Sequence, residues 1–358
     1  MFIYILTILF LLGCGSKNDT PEPAPPVPAP VEDIFGADLS SLPMIEGKGM
    51  VYYNSIGEAE DVLTTLKNAG IEIIRIRLWK DPETTHSSFA EVKEFSQRIK
   101  AQGLSTWLTV HYSDTWADPG NQKKPEKWNN LEFEDLKDSI YEYTNQVVLE
   151  LQPDIIQIGN EINSGFLHPE GKLSTNKDQF LELVSEASKA VREVDTNTRI
   201  MIHYAGYQGA DEFYNNVKSI DYDLIGISYY PSYHGKDMTE MKNSLNSLRS
   251  TYGKNIMIAE TAYPFTLDWN DWTNNIIGLE EHLILPDYPA TPKGQKEFIA
   301  KLNSIVSNSN SISGMCYWGG ELVAFDGPES KEGSPWENLA LYDFNNQALE
   351  VMEVIGKQ

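Results

Sequence analysis

Two glutamates each follow a short run of apolar residues. Ile155, Ile156 and Ile158 lead through Gly159 and Asn160 into Glu161, and Ile256, Met257, Ile258 and Ala259 lead into Glu260. Runs of this kind suit strands buried on both faces, so each carboxyl sits where a buried strand surfaces. Two carboxyls brought together there can divide the work. One stays protonated to give a proton away, and the other stays ionised to attack. The 99 residues from Glu161 to Glu260 match about three strand-helix units of an eight-fold barrel.

The elements that must position them alternate along the chain. Strands are expected near Gly36 to Leu39, Ile71 to Trp79, Leu104 to His111, Asp154 to Glu161, Arg199 to Tyr204, Leu224 to Tyr230, Ile256 to Glu260 and Gly314 to Trp318. Helices fit between them at Ile56 to Ala69, Phe89 to Ala101, Glu132 to Leu151, Lys177 to Glu193, Ala210 to Lys218, Met238 to Tyr252 and Thr291 to Ser307. Eight strands alternating with helices predict a single (β/α)8 TIM barrel over residues 34–358, with its chemistry at the C-terminal strand ends. There is no internal repeat, and no GxGxxG or GxxxxGK[ST] phosphate loop.

What gathers at those strand ends is polar and aromatic. Arg75 and Arg77 lie on one face of the second strand at period two; both need carboxylates if they face the barrel axis, and Glu260 is the expected partner, its pKa lowered by a nearby cation. The third strand ends in His111, Tyr112, Ser113, Asp114, Thr115, Trp116, Ala117 and Asp118, the sixth in Ser228, Tyr229, Tyr230 and Pro231, and the eighth in Tyr317, Trp318 and Gly319. His111, Asp114 and Trp116 offer donors, acceptors and a stacking ring for a polyol. A phenol at the end of the sixth strand can hydrogen-bond the carboxylate of the seventh, and Tyr229 is expected to bind substrate. Trp318 supplies a floor for a sugar ring. Carboxyls on strands four and seven in such surroundings imply glycoside hydrolysis with Glu161 as acid/base, Glu260 as nucleophile and Asn160 on the sugar 2-hydroxyl.

Composition limits the partners. With 52 acidic against 28 basic residues the formal charge is −24, which repels nucleic acid and acidic polysaccharides. Cys14 ends an apolar run too short to span a bilayer, in the frame Leu11-Leu12-Gly13-Cys14-Gly15-Ser16. That frame resembles a bacterial lipobox, although no Lys or Arg precedes the run. It implies a signal peptide over residues 1–13, a lipidated Cys14, and a proline-rich spacer over residues 14–33 holding the domain off a membrane. Asp19 resembles an export tag for the cell surface. The expected location is the outer membrane of a Gram-negative cell envelope, with contact to the membrane through the lipid alone. Cys316 is left as a buried free thiol. Nothing requires more than a monomer.

Six stretches, in order, carry a narrower resemblance: Gly36-Ala37-Asp38-Leu39-Ser40, Arg75-Ile76-Arg77-Leu78-Trp79, the segment from His111 to Pro119, Gln157-Ile158-Gly159-Asn160-Glu161, the segment from Gly226 to Pro231, and Glu260-Thr261-Ala262-Tyr263-Pro264. Together they resemble the arabinogalactan endo-β-1,4-galactanases of glycoside hydrolase family 53, in the retaining (β/α)8 clan. The resemblance implies endo-hydrolysis of β-1,4-galactan with no cofactor for the chemistry. Tyr233 departs from it, standing where Trp is more usual. It also implies a structural calcium between the loops after strands seven and eight, for which Asp268, Asn270, Asn274, Ser334 and Glu337 offer the hard oxygen ligands. Two alternatives stay open: another neutral polymer such as mannan, xylan or β-glucan, and a non-catalytic surface glycan-binding lipoprotein.

Overall fold

A computed structural model describes residues 33–357. Eight parallel strands close into a barrel in chain order: β1 (Ile34–Asp38), β2 (Ile73–Leu78), β3 (Ser105–Val110), β4 (Ile155–Ile158), β5 (Arg199–Ala205), β6 (Leu224–Ser228), β7 (Asn255–Thr261) and β8 (Ile312–Tyr317). The helices are α1 (Leu42–Gly47), α2 (Val62–Asn68), α3 (Phe89–Ala101), α4 (Phe133–Leu151), α5 (Lys177–Val194), α6 (Ala210–Val217), α7 (Pro231–His234), α8 (Met238–Tyr252) and α9 (Pro292–Ser307). This is the expected (β/α)8 barrel. The expected signal peptide, the lipidated Cys14 and all of the spacer but Asp33 lie outside the described residues.

Period-two alternation sorts the strands into two layers. Ile74, Ile76, Leu108, Val110, Ile156, Ile158, Ile200, Ile202, Ile225 and Ile227 pack outward against the helices. Ile73, Trp107, Ile155, Met201, Leu224, Met257, Ala259 and Cys316 fill the barrel axis as a separate apolar plug. Cys316 is a buried free thiol within that plug.

Differences from the expected boundaries have local causes. The helix expected from Ile56 begins at Val62, because Asp61 accepts from the Thr64 amide and caps it, while Gly57 at φ 81° closes a turn that pairs Tyr53 with Ala59. The short helices α1 and α7 both carry Pro in their first turn and had no sequence counterpart. β4 stops at Ile158 rather than Glu161, since Gly159 turns to φ 75°. A Cβ at Gly159 would come within 2.4 Å of Ile162 Cγ2, so glycine is required on both counts.

Candidate active site

Directly above the apolar plug the same strands turn polar. Asp38, Arg75, Gln157, His203, Ser228 and Glu260 are all buried there. Arg75 stands at the centre. Its Nη1 donates to Asp38 Oδ2 (2.5 Å), and its Nη2 donates to Glu260 Oε1 (2.7 Å) and Asn160 Oδ1 (2.9 Å). A buried guanidinium survives only with such partners.

Glu260 reaches this layer through an irregularity. Met257 and Ala259 face the axis, so strict alternation would send Glu260 outward to the helices. The ladder to β6 instead jumps from Ile227 opposite Ile258 to Ser228 opposite Glu260, and the extra residue turns the carboxyl inward. Tyr230 donates its hydroxyl to Glu260 Oε2 at 3.0 Å.

Glu161 is held in an uncommon backbone conformation, φ 46°. Its surroundings fix it. Gln122 Nε2 donates to the Asn160 and Glu161 carbonyls, the Ile162 amide donates to the His203 carbonyl, and Ser228 Oγ donates to Glu161 Oε1 at 2.5 Å. Glu161, His203 and Glu260 bring one side-chain ligand atom each within 4.8 Å of one another. Both ring nitrogens of His203 already face hydrogen-bonding partners: Gln157, Asn160 and the Glu161 amide on one side, Ser228 on the other. Hydrogen bonds within the protein therefore account for the cluster.

Electrostatics separate the two carboxyls. Burial, and then the Glu260 carboxylate, push Glu161 up to about 8. Burial also raises Glu260 above the ordinary glutamate value, which corrects the lowering expected from the cation alone. Arg75 and the Tyr230 hydroxyl pull it partly back, however, and Glu161 has only Ser228 as a comparable donor. In a pair that shares one proton, it resides on Glu161.

A cleft of about 380 Å³ opens over the pair, lined among others by Trp116, Asp118, Tyr230, Tyr233, His282, Trp318 and Trp336. Trp318 has three rings standing edge-on to it, Trp116 at 6.0 Å, Tyr230 at 6.5 Å and Trp336 at 5.3 Å between centroids, which fixes the plane of the indole.

Of the residues expected to bind substrate, Trp116 and Trp318 line the cleft, while Asn160 and Arg75 lie beneath it in contact with one another. The other four support it. Arg77 does not reach Glu260: its guanidinium lies between the indoles of Trp79 (4.5 Å) and Trp116 (4.8 Å) and bonds Ser87 and His86. Buried His111 accepts from the Ala117 amide (3.0 Å) and so sets the loop that carries Trp116; burial and the two arginines keep it neutral. Asp114 accepts from the Asp81 and Glu126 amides and ties two loops together. The phenol on Glu260 is that of Tyr230, not Tyr229, whose hydroxyl is buried without a partner. Sequence reasoning also missed His203 and Ser228. The signal was a polar residue at an inward position two beyond an apolar one.

The calcium candidates divide by burial. Ser334 and Glu337 are buried, but Asp268 and Asn274 are exposed and Asn270 is half-buried. Alternation along this loop puts the odd-numbered Asp271, Thr273 and Asn275 inside, one residue out of step with the expected set. Asp271 Oδ2, Asn275 Oδ1 and Glu337 Oε2 are buried oxygens with no hydrogen-bond partner. Asp271 and Asn275, with Glu337 from the expected set, offer a hard cation buried unpaired oxygens, which the exposed Asp268 and Asn274 do not.

Comparison with known proteins agrees with this geometry. The family model "Glycosyl hydrolase family 53" matches residues 34–355. An endo-beta-1,4-galactanase of Bacillus subtilis strain 168 is 30% identical over 372 residues, covering 90% of this chain and 85% of that protein. An arabinogalactan endo-beta-1,4-galactanase of Cellvibrio japonicus strain Ueda107 is 32% identical over 326 residues, covering 86% of each. The solved GH53 catalytic domain of Ignisphaera aggregans superposes with a TM-score of 0.86 at 36% identity, over 94% of this chain and 99% of that one. With a barrel whose fourth and seventh strands bring two glutamates together, and a family match over nearly every described residue, this chain belongs to glycosyl hydrolase family 53.

Proposed function

We propose that this chain is a retaining endo-β-1,4-galactanase in which Glu260 is the nucleophile and Glu161 the acid and then the base. The observation that carries the reading is the close approach of the two carboxyls, within 4.8 Å, with only Glu260 bonded to Arg75 and Tyr230. Retaining enzymes hold this pair about 5 to 5.5 Å apart, too close for a water to sit between them. Glu260 attacks the anomeric carbon, the glycosidic C–O bond breaks, and the Glu161 proton goes to the departing oxygen. Glu161 then takes a proton from the water that displaces Glu260. Asn160, with one amide hydrogen on the Ala117 carbonyl, directs the other at the sugar 2-hydroxyl. The galactan substrate follows from the galactanases in the family, and flat indoles in a cleft that no Lys or Arg lines among the described residues suit a neutral sugar chain.

The test is reducing-sugar release from debranched β-1,4-galactan beside mannan, xylan and β-glucan, using the chain from Ile34 onward. Release from galactan alone is expected. Release from another polymer overturns the substrate, and binding without release supports the non-catalytic alternative. The pH profile on galactan should fall on the basic side near 8, where Glu161 loses its proton, and on the acid side above the usual glutamate value, where Glu260 gains one.

Three further readings complete the proposal. A structural calcium is held by Asp271, Asn275 and Glu337, where it cross-links the loops after β7 and β8 and takes no part in the reaction; EDTA should lower the melting temperature of the natural chain and leave that of Asp271→Ala unchanged. Cys14 carries a lipid and places the enzyme in the cell envelope; labelled palmitate should enter the full chain and not Cys14→Ala. The catalytic domain is a monomer, which sedimentation velocity checks.

A further inference from the structure

One pair in the polar layer serves neither carboxyl's bond-making directly. His203 on β5 is fully buried, and its nitrogens face different neighbours. Nδ1 lies 2.9 Å from Gln157 Nε2, 3.4 Å from the Glu161 amide nitrogen and 3.2 Å from Asn160 Oδ1. Nε2 lies 2.9 Å from Ser228 Oγ, which is 2.5 Å from Glu161 Oε1.

The tautomer follows from the neighbours. Gln157 turns its oxygen to Arg75, so its amide nitrogen, which faces the Gly159 carbonyl, Asn160 Oδ1 and His203, can offer the ring only a hydrogen. The Glu161 amide can only donate. Asn160 Oδ1 already accepts from Arg75 and Gln157 and needs no third donor. Nδ1 therefore accepts, and the ring proton falls on Nε2. A Ser228 hydroxyl that accepts from Nε2–H must place its own hydrogen elsewhere, and its other bonded acceptor is Glu161 Oε1.

We infer that His203 and Ser228 form a hydrogen-bond wire of fixed direction that reserves Oε1 of Glu161 as an acceptor, so that the proton transferred to the leaving group sits on Oε2. The inference rests on Glu161 as the acid/base. Both members are positioning residues, and no proton travels along the wire: burial, reinforced by Arg75 and His234, keeps the imidazole neutral. The same donor steadies the carboxylate left after transfer, which then serves as base. The other groups facing Glu161 are Glu260 from β7, Arg75 from β2 and Asp118 from the loop after β3.

The experiment measures kcat/KM against pH on galactan and on a dinitrophenyl β-galactobioside, whose leaving group departs without a proton. Variants are Ser228→Ala, Ser228→Thr, His203→Phe and the double Ser228→Ala/His203→Phe, with Glu161→Gln as reference. Ser228→Ala should lose about tenfold or more on galactan and less than about threefold on the aryl substrate. Its basic limb should move up by about one pH unit, because the carboxylate loses a donor that favours ionisation. Ser228→Thr keeps the hydroxyl and the natural limb. His203→Phe should move the limb in the same direction, and the double variant should move it no further than Ser228→Ala, since the ring reaches Oε1 only through the hydroxyl. Equal losses on both substrates with an unmoved limb overturn the wire, as does an additive limb shift in the double variant. If Ser228→Ala does not fold, the His203→Phe limb decides alone. Should Glu161→Gln lose the aryl substrate as heavily as galactan, the acid/base assignment itself fails, independently of the wire.

Discussion

The lower and upper halves of the barrel interior are built from the same strands and do opposite work. Ile73 and Arg75, Ile155 and Gln157, and Met201 and His203 are pairs two residues apart, about 6.6 Å along a strand. Below, the side chains are apolar and gain stability by leaving water. Above, a guanidinium, two carboxyls, an imidazole, an amide and a hydroxyl are buried at a cost that only mutual bonding offsets. The step between the halves is one turn of the pleat. Stability and preorganised charge thus lie side by side.

Five substitutions, the Tyr229→Phe comparison among them, test this division, from the largest effect down. Glu260→Ala should reduce turnover on galactan by about four orders of magnitude, ~5.5 kcal/mol of barrier, while affinity for galactan oligosaccharides stays within tenfold. Undiminished turnover would remove Glu260 from the chemistry. Ile155→Ala, two residues below Gln157, should instead cost roughly 2–5 kcal/mol of folding stability, read as a urea midpoint, with kcat within about threefold of natural. A collapse of kcat in a folded Ile155→Ala protein would show that the halves are not separable. Tyr230→Phe removes the hydroxyl on Glu260 and should lower kcat roughly thirtyfold, ~2 kcal/mol. Tyr229→Phe removes a hydroxyl that bonds nothing and should change kcat by less than about twofold, and a reversal of this order would return the role to Tyr229. At the rim, Tyr233 is 59% exposed. Tyr233→Ala should raise KM by about two- to tenfold and leave kcat nearly unchanged.

Much of this was legible from residue order. Apolar runs ending in polar residues located all eight strands, and the two glutamates stood out because both follow such runs. What escaped was whatever depends on one residue of phase. No composition signal marks the irregularity that turns Glu260 inward beside Ala259. Tyr229 and Tyr230 are adjacent and chemically alike, and only the turn into α7 at Pro231 decides which hydroxyl meets Glu260. In the loop after β7 the expected ligands lie on the even-numbered row, whereas the buried oxygens without partners lie on the odd-numbered one; acidic and amide side chains occupy both faces, so spacing does not separate them. His203 and Ser228 were passed over because each alone reads as a strand residue; their meaning arises from pairing across β5 and β6, which no linear spacing encodes.

The first described strand enters the barrel at Ile34, at the end opposite the catalytic pair, and the Lys357 amide closes on Gly70 just before β2 begins. A tether through Cys14, as proposed above, would leave the domain from that end and would not cross the mouth of the cleft. A galactan chain could then lie across the opposite face with both of its ends free.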